Sequence, residues 1–218
     1  MPKKISPHGT DPAVPATLQD GGPLPKLVAF DLDYTLWPFW VDTHVTSPLK
    51  ATGEYNKVHD RYKDTWSFYS DIPALLHLLR SKGVKVAAAS RTHAPELARE
   101  MLSLLHLDPA HTGGEKGKRG IDYFDEFEIY PGSKVTHFKS LKRKTGIDYG
   151  DMLFFDDESR NRNVERELGV QMILVPKGVS HSVFDRGVLA WRKRQHESPE
   201  EREAENGRID EDEEAEWR

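Results

Sequence analysis

Cysteine is absent from the 218-residue chain. That excludes disulfides, thiolate metal sites and cysteine nucleophiles, and with them the cysteine-based chemistry of the classical tyrosine phosphatases. It also suits a reducing compartment. Long apolar runs are missing too, since none approaches the ~20 residues that a membrane helix needs. Six prolines stand among the first 25 residues, and no apolar signal-peptide core lies there. The histidines from His44 to His196 are scattered, without i,i+4 pairs or HExxH spacing, so none is assigned to a metal. The expectation is a soluble protein of the cytoplasm, or of the nucleus, with neither a membrane nor a nucleic acid as partner.

What is present is a core in a very polar envelope: 37% apolar residues against 31% charged. The length suits one α/β domain. The net charge of −5 is unevenly spread. From Glu197 to Arg218 eleven acidic residues face three arginines, a net of −8, which leaves the remainder at +3. The predicted organisation is a disordered Pro-rich leader over 1–25, one domain over 26–196 and a disordered acidic tail over 197–218.

Within the domain, short apolar runs alternate with helical patterns. Lys26 to Phe30, Val84 to Ala89, Met152 to Phe155 and Gln171 to Val175 predict buried strands, and Tyr123 to Tyr130 a further one. Helices are predicted over Asp71–Lys82, Pro95–His106, Ser133–Lys144, Asn163–Leu168 and Val183–His196, with Ser133 as a cap and Gly146 as a breaker. Strand and helix in alternation imply a parallel sheet with right-handed crossovers. Residues 37–70 break the pattern and read as loops or a small hairpin. The Gly- and Lys-rich stretch 113–120 reads as a surface loop.

Ligands of open α/β sheets bind beyond the carboxyl ends of the strands. Asp31 and Asp33, Ser90 and Arg91, and Asp156 and Asp157 all stand there, with Lys134 opening a helix just after another strand. Carboxylates, a hydroxyl and cations at one edge are the set that a phosphoryl group and a hard divalent cation need. One carboxylate can attack phosphorus while another handles the proton. A calcium loop starting at Asp31 is excluded, because Leu36 stands where glycine is required and Asp42 where glutamate is. His93 and His137 lie close in sequence to Ser90 and Lys134 as candidate substrate contacts. Trp37, Phe39 and Trp40 read as packing residues or as a wall of the site.

Four stretches carry a resemblance: Phe30 to His44 (FDLDYTLWPFWVDTH), Ala87 to Thr92 (AAASRT), Ile129 to Lys134 with Thr136 to Phe138, and Phe154 to Glu158 (FFDDE). Together they resemble the haloacid dehalogenase superfamily, and within it the magnesium-dependent phosphatases, over about Lys26 to Pro176. The resemblance implies a three-layer α/β/α Rossmann-like fold with a minimal or absent cap. It implies Asp31 as nucleophile, Asp33 as general acid/base, and Ser90, Arg91 and Lys134 as holders of the phosphoryl group. Mg2+ is implied on Asp31, Asp33 (through its backbone carbonyl) and the pair Asp156 and Asp157, with Asp157 the nearer of the two. The expected activity is Mg2+-dependent phosphomonoester hydrolysis through an aspartyl-phosphate. The expected substrates are phosphorylated small molecules or phosphoproteins, of phosphotyrosine or sugar-phosphate type. The alternative is an inactive phosphate-binding scaffold on the same fold.

Overall fold

The computed structural model describes residues 14–198 and Glu201. In chain order its elements begin with β1 (Leu27–Phe30), a short helix α1 (Val41–His44) and three two-residue strands, β2 (Lys50–Ala51), β3 (Val58–His59) and β4 (Thr65–Trp66). Then come α2 (Ile72–Ser81), β5 (Lys85–Ser90), α3 (Pro95–Leu104), β6 (Glu126–Ile129) and α4 (Lys134–Thr145). The series closes with β7 (Met152–Asp156), α5 (Asn163–Leu168), β8 (Gln171–Leu174) and α6 (His181–Gln195).

The main sheet runs β6-β5-β1-β7-β8, and every pairing in it is parallel. Side chains alternate across it, as the two-residue period of a strand requires. Val28 and Phe30 of β1 face one apolar cluster with α2, α3 and α6. Leu27 and Ala29 face the other, with Val135, Phe138 and Leu141 of α4 and Val164 of α5. Helices thus cover both faces, giving the three-layer α/β/α architecture. Both faces being buried explains why the strands read as unbroken apolar runs. Strand order reverses at β1: the chain builds outward to β5 and β6, then returns to add β7 and β8 on the other side. The crevice at such a reversal, above the carboxyl ends of β1 and β7, is where a ligand has room.

The sheet packs closely enough to require one glycine. At Gly187 in α6 a Cβ would come within 2.6 Å of the Phe155 ring. At the end of α4, Gly146 takes φ 71, the left-handed cap that closes the helix as the sequence predicts.

Three expectations change. The strand predicted over Tyr123–Tyr130 contracts to β6, because Gly120–Tyr123 forms a 3-10 turn. Residues 37–70 are more ordered than loops or a hairpin: β2, β3 and β4 form an antiparallel three-stranded sheet. Val41, Val45, Leu49, Val58 and Phe68 seat this insertion in the main core, so it is no separate cap. The leader is structured from Val14 on. Thr17 and Leu18 are buried, and Ala16 and Thr17 donate backbone N–H bonds to Asp185 of α6 at 2.9 and 2.8 Å. Residues 1–13, and the acidic tail apart from Glu197, Ser198 and Glu201, lie outside the described residues. No helix among the described residues is long and apolar enough to cross a membrane.

Candidate active site

Asp31 follows β1 directly, and its N–H still donates to Phe155 O of β7 at 2.9 Å. The ladder therefore carries the chain straight to the carboxylate and then releases it. Tyr34, at φ 51, turns the chain in the left-handed region, and Thr35 and Leu36 fold back onto Leu32. That curl brings Asp33 to the same cleft as Asp31. Trp37 Nε1 and Val41 N–H donate to Asp33 Oδ1 at 2.7 and 3.1 Å, which fixes the carboxylate and leaves Oδ2 without a protein donor among the described residues.

Lys134 is the cation at the floor. It is 1% exposed, and its Nζ lies 2.5 Å from Asp31 Oδ1 and 3.0 Å from Asp156 Oδ2, with a further bond to Ala89 O. The two carboxylates hold it protonated, raising its pKa against the burial that would lower it. Ser133 caps α4 by accepting from Thr136 N–H at 3.1 Å, so Lys134 stands at the first helical position and its direction is set by the cap.

Asp156 does not face the cleft. It is fully buried, and its oxygens are taken by Lys134, by Asn161 Nδ2 at 2.9 Å to each, and by Glu158 N–H at 2.8 Å. Of the four aspartates expected at the metal, Asp156 is the one whose oxygens are engaged by protein donors on both sides. Asp157, the next residue, points the other way and lines the cleft with Asp31, Asp33, Ser90, Arg91 and Lys134. Alternation at a strand end sends two adjacent carboxylates to opposite tasks.

The cleft holds more negative charge than its residues neutralise. Burial pushes Asp31 well above the usual carboxylate range, with Asp156 and Asp33 adding and Lys134 opposing. Asp33 is pushed up to about 6 by burial, against its two hydrogen bonds. Asp157 is pushed up to about 7 by burial and then by Asp156 and Glu158. Among the described residues no three His, Asp or Glu side chains form a preassembled metal cage. Free carboxylate oxygens on Asp31, Asp33 and Asp157 around one open cleft fit a different ion, one that takes one or two carboxylates and fills its shell with water and substrate.

Of the predicted site residues, the structure brings Asp31, Asp33, Ser90, Arg91, Lys134 and Asp157 to one cleft. Ser90, 1% exposed, ends β5 and accepts from Thr92 N–H at 3.3 Å. His93 lines the cleft, whereas His137 is buried against Tyr130 and does not. Trp37 and Phe39 stack on each other in the core, 5.2 Å apart, and only Trp40 reaches the cleft. The loop 113–120 does not line this cleft.

Sequence reasoning missed Asp42, Thr92, Glu158 and Arg160 in the wall. Asp42, on α1, accepts from Thr92 Oγ1 and His93 N–H at 3.3 and 3.2 Å, tying the insertion to the loop after β5. Its place in the run from Phe30 to His44 was the one signal available. For Asn161, which holds Asp156, there was none.

A doubly wound parallel sheet with acids just past its first and fourth parallel strands, joined by a buried lysine, defines a haloacid dehalogenase-like (HAD-like) hydrolase. Residues 23–194 match the family model described as Acid Phosphatase. A HAD-like hydrolase superfamily protein of Schizosaccharomyces pombe is 47% identical over 150 residues, covering 68% of this chain and 84% of its own length. Magnesium-dependent phosphatase 1 of Homo sapiens is 44% identical over 172 residues, covering 79% of this chain and 90% of its own. The chain belongs to the acid phosphatase family of the HAD-like hydrolases.

Proposed function

We propose that the protein is a Mg2+-dependent phosphomonoesterase that works through a phosphoryl group carried on Asp31. The observation that carries this reading is the placement of Asp31: one residue past β1, one oxygen held by Lys134, the other turned to a cleft shared with Asp33, Ser90 and Asp157. The free oxygens of Asp31 and Asp157, with the Asp33 backbone carbonyl, are the groups that would hold Mg2+. The human relative's name carries the same metal. When bound, the ion neutralises charge between an anionic nucleophile and an anionic ester.

The chain's own residues do the rest. Asp31 attacks phosphorus in line, and the ester oxygen leaves on the opposite side. Asp33 donates the proton to that leaving oxygen, then takes one from the water that hydrolyses the aspartyl-phosphate. Lys134 keeps Asp31 oriented and adds fixed positive charge, with Arg91 and the Ser90 hydroxyl holding the phosphoryl oxygens. Trp40, half exposed at the rim, offers a flat face to the leaving group. The substrates that fit are phosphotyrosine-type and sugar-phosphate monoesters.

Purified protein is expected to release phosphate from p-nitrophenyl phosphate with Mg2+ and to stop when the ion is chelated. Asp31→Asn should lower kcat by about 10³-fold or more while the circular dichroism spectrum is unchanged. Wild-type rates from that variant would refute the assignment.

A further inference from the structure

A second cleft of about 340 Å³ opens beside the catalytic one of about 350 Å³. Arg91, His93, Lys134 and Arg160 line both, so the two spaces meet along a common cationic wall. Their remaining linings differ in sign. The catalytic cleft carries five acidic residues; the second carries none, and adds the polar side chains of Ser133, Asn161 and Asn163.

The charges do not cancel there. Lys134 is matched by Asp31 and Asp156. Arg91 and Arg160 both turn to one carboxylate, Glu158, which lines only the catalytic side. Arg160 donates Nε and Nη2 to the two Glu158 oxygens at 2.9 and 2.5 Å. That bidentate grip fixes the guanidinium plane and leaves Nη1 without a protein partner among the described residues. Arg91 donates Nη1 to Asn161 Oδ1 at 3.2 Å, and its buried Nε has no partner among the described residues. The positive end of α4 opens at the same place, at Ser133. Two guanidiniums sharing one counter-charge, Arg160 with its Nη1 unused, line a cleft whose remaining walls, Ser133, Asn161 and Asn163, take no part in the hydrolytic step.

We propose that this cleft is an anion subsite that takes a second phosphate carried on the leaving group of the substrate. The inference rests on the phosphomonoesterase reading and sharpens its substrate: a compound phosphorylated at two positions. One phosphoryl group sits over Asp31 and the other against Arg160, whose planar fork suits phosphate oxygens, with Arg91 on the wall common to both.

The test compares Mg2+-loaded full-length protein on fructose 6-phosphate and fructose 1,6-bisphosphate, with initial phosphate release as readout. The bisphosphate is expected to show at least tenfold higher kcat/KM. Arg160→Gln should cut that advantage at least fivefold, mainly through KM, and Arg160→Lys should restore part of it. Equal efficiency on both compounds, or an advantage intact in Arg160→Gln, overturns the subsite while leaving the phosphatase reading in place. Calorimetry on Asp31→Asn protein separates the two further. At least tenfold tighter binding of the bisphosphate than of the monophosphate supports the subsite even if no turnover is found. Equal binding overturns it.

Discussion

Lys134 shows how one side chain joins fold and chemistry. Its ammonium is buried between two carboxylates, so removing it leaves two buried acids facing each other without a counter-charge. Lys134→Met keeps the aliphatic stem and removes the charge. It is expected to cost about 3–5 kcal/mol of stability as well as activity, read by urea unfolding. An unchanged midpoint would mean that the pair contributes nothing net. His137 makes a separate prediction about pH. Its ring is buried, its Nε2 meets Tyr130 O at 3.1 Å, and its Nδ1 has no partner among the described residues. Burial, then Lys134, pushes its pKa down to about 4 from the ordinary 6.5. Between those values the unfolded chain binds a proton that the folded chain refuses. Stability should therefore be whole above pH 6.5 and decline as pH falls toward 4. His137→Gln should flatten that decline; parallel stability curves for variant and wild type would dismiss the assignment.

At the level of elements, the catalytic strand ends were legible because their signal is local. An apolar run that stops at an acid marks both the strand and the point where the chain leaves the sheet, as at Asp31 and Asp156. The partners of those residues were not legible. Asn161 reaches Asp156 only because a 3-10 turn over Ser159–Arg162 folds it back, and no periodicity announces such a turn. The strands β2 to β4 are two residues each, too short for an alternation to be read. Nor did Gly187 look special in a helix whose pattern continues across it. It tests the packing directly. Alanine usually favours a helix over glycine by about 1 kcal/mol, but here its methyl must displace the Phe155 ring. Overpacking of that kind costs about 1–3 kcal/mol, so Gly187→Ala is expected to lower Tm. A raised Tm would indicate that α6 lies farther from the sheet.

Over the whole molecule, the segment before β1 is the largest departure from the reading of the sequence. A polar, Pro-rich run resembles an unstructured one, because its anchors are on the last helix. Asp185 accepts from Ala16 N, Thr17 N and Thr17 Oγ1, the last at 2.6 Å, and Arg192 binds Asp20 at 2.5 Å. Asp185→Ala should lower stability by about 1–3 kcal/mol, since it leaves a part-buried Thr17 hydroxyl and N–H unmatched. Limited proteolysis should then cut between residues 14 and 22 sooner than in wild type. Equal cleavage rates would show that the strap is held by other contacts.

The same helix decides where the chain departs. α6 descends from the catalytic edge, and Trp191 Nε1 and Gln195 Nε2 both bond to Gly150 O, just ahead of β7 and thus at the opposite edge of the sheet. A surface tether attached to the last turn of α6 would sit on that underside, with the mouth of the pocket facing free solution.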